Sequence, residues 1–260
     1  LWVRPLSLLR SLSSTLSWRL LVHSWLYQHN QTMERAELLR ELALKYQDEK
    51  YFVQDPIIFP KHFSKLYREG QATLQDVEIS AVISAHLAWG RREMIVRDCH
   101  RAFDEMDWKP YEYVLRGEYK SDDKSLHRTI KWCDFAQICG RLRTFYQANH
   151  TLEILSPDQM RRDIYGQKSD LKATNKKIHM LRRWMVRTSG PIDLGIWKNI
   201  SPSELIIPLD VHVFHSAVKL GITSRKSPDY KAALEITEYL RQVFPDDPLM
   251  GDFALFVYDM

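Results

Sequence analysis

The stretch Ile206-Ile207-Pro208-Leu209-Asp210-Val211-His212-Val213, running on to Lys219-Leu220-Gly221, decides how the chain is read. Pro208 disfavours a helical conformation at Ile207, so the chain arrives extended. A helix starts directly after Asp210, which puts that carboxylate at the N-cap. Val211, Phe214 and Val218 form an apolar face until Gly221 stops the helix. An Asp cap contributes roughly 1 kcal/mol and needs no catalytic duty to explain it.

The same helical periodicity extends outward in both directions. Upstream, Leu39, Leu42 and Tyr46 repeat on one face. Thr73 and Asp76 form a capping-box-like start for Val77, Ile79, Val82, Ile83 and Leu87, which Gly90 closes. Ile95, Cys99 and Phe103 follow at i, i+4, i+8, Pro110 opens a short helix, and Phe135, Ile138, Leu142 and Phe145 point inward from another. Ile178, Leu181, Trp184 and Met185 make an apolar face. Downstream, Leu234, Tyr239, Leu240 and Val243 mark a further helix. Asp247 reads as the cap of the last one, with Pro248 in its first turn. Without sustained period-two alternation or an internal repeat, the expectation is an all-α, two-lobed helical bundle. A polar linker near 149–172 marks the expected lobe boundary.

Composition narrows the class. With 260 residues, 45% hydrophobic and 27% charged, the chain suits one soluble domain or two small ones. Nine Gly and eleven Pro exclude a disordered or fibrous chain. Three Cys exclude a disulfide scaffold and fit a reducing, cytoplasmic setting. No stretch is long and apolar enough for a membrane span. The net charge of +4 invites nucleic acid, yet residues 1–32 carry Arg4, Arg10 and Arg19 and no acid. Setting those three aside leaves 34 basic against 33 acidic residues, a net +1. This Leu- and Ser-rich leader reads as lying outside a fold that begins at Met33, either a presequence or a segment ahead of the true start.

The local basic charge is more informative. Between Asp170 and Asp193 there are six basic residues and no acid. Lys176, Arg183 and Arg187 lie within about 40° of one another on a helix starting near Thr174, opposite Ile178, Leu181 and Met185. A cationic stripe of this kind suits a phosphate backbone, although a solvated helix face looks the same in sequence. Arg91, Arg92, Arg97 and Arg101 form a second cluster, diluted by Glu93 and Asp98. Cys133 and Cys139 match no common zinc spacing, and of Asp210, His212 and His215 only the two histidines share a side, so no metal is expected.

The segment Ile207-Pro208-Leu209-Asp210-Val211-His212-Val213 with Lys219-Leu220-Gly221 resembles the (V/P)-x-D-T-H-V…R-L-G-L signature of helix-hairpin-helix DNA glycosylases. From about Lys45 to Met260 the chain is more closely similar to a bacterial family, domain of unknown function 2400. Its matching stretches are Asp55-Pro56-Ile57, Ala88-Trp89-Gly90-Arg91, His127-Arg128-Thr129, Arg183-Trp184-Met185-Val186-Arg187, Asp193-Leu194-Gly195-Ile196-Trp197 and Asp246-Asp247-Pro248…Asp252-Phe253-Ala254-Leu255-Phe256.

The glycosylase resemblance implies that a damaged base is flipped from double-stranded DNA into a pocket. Asp210 would stabilise positive charge growing on the sugar, and Lys176, or its neighbour Lys177, would form a Schiff base as in archaeal 8-oxoguanine glycosylases. Lys172, Lys177, Arg183, Arg187, Arg91 and Arg92 become candidate DNA contacts. Trp184 and Trp197, with Trp89, become candidate base-stacking platforms. A monomer without cofactor or metal is the corresponding expectation. The departures are specific. The L-P-G-x-G-like hairpin is missing, with Ser189-Gly190 or Ser201-Pro202-Ser203 as substitutes for its phosphate grip, and Val211 stands where the signature has Thr. A non-catalytic nucleic-acid-binding module and a helical interaction domain are the competing expectations.

Overall fold

The computed structural model describes residues 15–258 and is mostly helical, with one two-stranded ribbon. In chain order the helices are α1 (Thr15–Tyr46), α2 (Ile58–Arg68), α3 (Leu74–Leu87), α4 (Arg92–Glu105) and α5 (Pro110–Arg116). Strands β1 (Ser125–His127) and β2 (Ile130–Lys131) pair antiparallel before α6 (Trp132–Tyr146). A single turn, α7 (Pro157–Gln159), runs into a π-turn over Met160–Ile164. Then follow α8 (Lys176–Val186), α9 (Val211–Lys219), α10 (Tyr230–Val243) and α11 (Met250–Tyr258). The ribbon was not anticipated, because strands of three and two residues are too short to display a period-two pattern.

Local chemistry explains most boundaries. Thr73 and Asp76 form a full capping box at α3. Pro110 starts α5 and Gly117, in the left-handed region, ends it. At the end of α9 the Ile222 N–H donates to Ala217 O (2.8 Å) and the Gly221 N–H to Val218 O (2.9 Å). That pair of bonds is a Schellman stop, and Gly221 supplies its φ of +63°. Asp247 departs from expectation: its carboxylate does not cap α11 but receives Arg187, as described below.

The apolar side chains fall into two buried groups. The first gathers residues from Ile57 to Leu205 with Leu249 and Phe253, around α3, which is buried on nearly every side. The second joins Ala36, Leu39 and Ala43 of α1 to α9, α10 and α11, with Ile207 and Leu209. The seam therefore lies at Ile206 and not at 149–172. That polar segment buries Leu152, Leu155, Met160, Ile164 and Tyr165 in the first group. Glu78 of α3 also fastens it, accepting from Thr151 Oγ1 (2.6 Å) and the Leu152 N–H (3.0 Å). The same buried carboxyl takes Tyr146 Oη (2.8 Å) and Trp197 Nε1 (2.7 Å), so one side chain ties together four segments. Burial pushes the Glu78 carboxyl up, and its four donors offset this only in part.

Helix α1 runs without a break from Thr15 through Met33, and among its described side chains Ala36, Leu39 and Ala43 are buried in the second group. Residues 1–14 lie outside the described residues. No helix among the described residues is long and apolar enough to cross a membrane.

Candidate active site

Between the two apolar groups lies a cleft of about 700 Å³, walled by α8, α9, α11, the loop before α4 and the segment from Tyr46 to Pro56. The stretch from Ile207 to Asp210 builds one wall through simple alternation. It is extended, so Ile207 and Leu209 enter the second core while Pro208 and Asp210 face the cleft. Asp210 then begins α9. Its Oδ1 accepts the Val213 N–H at 2.9 Å, the expected cap, at the positive end of the helix dipole.

Lys176 enters from the opposite wall as the first residue of α8. Its Nζ lies 3.0 Å from Asp210 Oδ2, with the lysine side chain 39% and the aspartate 20% exposed. Both line the cleft. The cap bond and the ion pair use different carboxylate oxygens, so neither excludes the other.

Lys177, one residue on, points away. Its Nζ sits 3.9 Å from the centre of the Tyr165 ring and 3.1 Å from Nδ1 of His86. Burial, then Arg161, draws the Lys177 amine down to about 8. Burial likewise lowers His86 to about 3, leaving a neutral ring that accepts from the ammonium. Lys177 is therefore corrected from a DNA contact to a half-buried amine. After reductive ¹³C-methylation its NMR resonance should titrate with a midpoint near 8, against about 10.4 for ordinary lysines; a midpoint above 10 would contradict this placement.

Arg183 and Arg187 require a larger correction. Arg187 is only 1% exposed. Its Nε lies 2.9 Å from both oxygens of Asp247, and its Nη1 pairs with Asp193. Arg183 Nη1 donates to Asp252 Oδ2 at 2.6 Å, and its Nε lies 3.3 Å from Asp193. Ser189 Oγ closes on the same Asp247. Two of the three residues of the expected stripe, Arg183 and Arg187, thus lie inside a salt-bridge network with Asp193, Asp247 and Asp252, and only Lys176 remains partly exposed.

Trp184 and Trp197 are 1% and 2% exposed. Trp184 forms part of the cleft wall and Trp197 is bonded to Glu78, so neither offers an open face for stacking. Trp89 does: it is 39% exposed and lines the cleft. Arg128 lies 4.2 Å over its ring, and His127 meets it edge-on. His127 bridges Asp98 Oδ2 (2.8 Å) and the Trp89 carbonyl (2.9 Å), which fixes the loop. Gly90 allows the close approach, since a Cβ there would lie 2.6 Å from Arg128 Nη1.

Of the other basic candidates, Lys172, Arg91 and Arg92 are exposed, and Arg92 lines the cleft with its guanidinium 5.5 Å over Phe256. Of the two substitutes considered for the missing hairpin, Ser189 is held by Asp247, and Ser201 caps a 3₁₀ turn at Pro202–Glu204. Asp55, Arg128 and Asp252 lie in stretches that match the family, but the sequence assigns them no role, because nothing local places Asp252 opposite α8 or Asp55 in a cleft. Among the described residues no group of three or more His, Cys, Asp or Glu could hold a metal.

A family model described as Protein of unknown function (DUF2400) matches residues 55–170 and 160–260. No curated protein and no solved structure matches the chain.

Proposed function

We propose that this chain, which belongs to the family of proteins of unknown function DUF2400, is a DNA glycosylase with lyase activity that removes a damaged base flipped into the cleft. The observation that carries the reading is the Lys176 amine 3.0 Å from the Asp210 carboxylate across one open cleft. The resemblance of residues 207–221 to helix-hairpin-helix glycosylases supplies the chemistry, with 8-oxoguanine as the lesion it suggests.

In this reading the Lys176 ammonium first gives up a proton to water, and the freed amine bonds to C1′ of the sugar as the bond to the base breaks. The base leaves with the electron pair and takes a proton. Asp210 faces the positive charge that builds on the sugar and accepts the proton shed by the amine. Opening of the sugar ring, with O4′ taking a proton, leaves an imine between Lys176 and C1′. Arg91, Arg92 and Arg128 at the rim supply phosphate contacts, and Trp89 between them offers a stacking face. The missing hairpin between α8 and α9 favours one other reading, a duplex-binding module without chemistry.

The test is borohydride trapping by the full chain on duplexes carrying 8-oxoguanine, uracil, alkylated bases or a preformed abasic site. A covalent adduct mapped by peptide mass spectrometry to Lys176 is expected. No adduct on any duplex, or one mapped to Lys177, overturns the proposal. Salt-sensitive duplex binding without an adduct selects the non-catalytic reading.

A further inference from the structure

Three carboxyl groups line the cleft, and they are not equivalent. Asp210 is paired with Lys176, and Asp252 with Arg183. The Asp55 side chain accepts a single hydrogen bond among the described residues, from the Ile57 N–H to Oδ1 at 3.0 Å, and no cation among them lies within ion-pair distance. Burial pushes its carboxyl up, and Arg183 and Arg92 counter this only from a distance. A half-buried acid that faces a cleft with no cation beside it is the kind of arrangement that recurs at binding sites. Around it the cleft is aromatic: Phe52 packs edge-on to Phe253 (5.7 Å), and Tyr51, Trp89 and Phe256 are among the other rings that line it.

We infer that Asp55 determines which ligand this cleft accepts, and that it selects a planar heterocycle presenting two adjacent N–H donors, the N1–H and amino edge of a guanine-type base. Resting on the glycosylase reading, this names the class of base that site would take. A carboxylate accepts two parallel N–H bonds, and Oδ2 with the second lone pair of Oδ1 remains available for them. Hypoxanthine keeps one of the two donors. Adenine and cytosine turn a ring-nitrogen acceptor toward the carboxylate, and uracil and thymine flank their single donor with carbonyls. Each mismatch leaves a desolvated acceptor unpaired, and one lost bond to a charged group is worth roughly 10–150-fold in affinity. The aromatic walls bind any planar ring, so discrimination falls to Asp55.

The test is equilibrium binding of guanosine, inosine, adenosine and cytidine to the full chain, followed by tryptophan fluorescence and chemical-shift perturbation. Guanosine should bind at least tenfold more tightly than the other three, and Asp55→Asn should bring all four to similar affinity while its melting temperature stays close to wild type. Should Asp55→Asn lose fold, Asp55→Glu, which keeps the acceptor pair, must preserve the guanosine preference. Equal binding of the four nucleosides by the wild type, no binding at millimolar concentration, or a preference unchanged in Asp55→Asn overturns the inference. Borohydride trapping of the wild type on a preformed abasic site needs no base and reports on Lys176 separately. Discrimination without trapping sinks the lyase chemistry and keeps Asp55; trapping without discrimination does the reverse.

Discussion

Arg187→Met should destabilise the protein by about 3–5 kcal/mol, the usual result of leaving buried charge without its partner. For a domain of this size that lowers the melting temperature by roughly 6–20 °C. The reason is that Arg187 answers two acids at once. Asp247 receives its Nε and Nη2, and Asp193 its Nη1, all three side chains being buried. Met restores some apolar volume but none of the hydrogen bonds, so both carboxylates must recruit water or take up protons. Exposed Arg91 provides the control, and Arg91→Met should stay within about 0.5 kcal/mol of wild type. Thermal unfolding by circular dichroism measures both; a shift below about 3 °C for Arg187→Met would mean that the network carries little stability.

On the proposed glycosylase reading, Asp210→Asn should lower the rate of base release by about 100–1,000-fold, the effect typical of losing one aimed electrostatic group. The same variant should unfold close to the wild-type temperature, because Asn caps a helix about as well as Asp and can still accept the Val213 N–H. Asp210→Ala should show both losses, the added one being about 1 kcal/mol of stability. Single-turnover kinetics beside thermal melts separate the capping role from the chemical one. Undiminished base release in Asp210→Asn would reduce Asp210 to a cap.

Asp210 was legible in the sequence because everything that positions it is local. Pro208 forces the extended approach, the helix begins at Val211, and Gly221 ends it, all within fourteen residues. The fold class was legible for the same reason, since caps and apolar stripes are written into single helices. The exposure of Arg183 and Arg187 was not. Their acids stand at positions 193, 247 and 252, and the return of the loop after α8 and of the chain from 247 onward decides whether a basic stripe faces water or carboxylates. The lobe boundary failed for a related reason. Residues 149–172 look polar in composition, but their few apolar side chains are the ones buried, and Glu78, far away in sequence, satisfies the backbone at Leu152. Asp55 carries no periodic signal, and its significance lies in the partner it lacks.

The seam at Ile206 has one more consequence. Lys176 is built into the first core and Asp210 into the second, so their 3.0 Å separation is a dimension of the join between cores and belongs to neither alone. The pair works as a gauge on that join. Slippage of α9 against α8 by even an ångström would part the two groups while every helix remained intact, and in the proposed reaction that loss would precede any loss of secondary structure. Substitutions far from either residue can therefore move the pair, by altering the fit between the two cores.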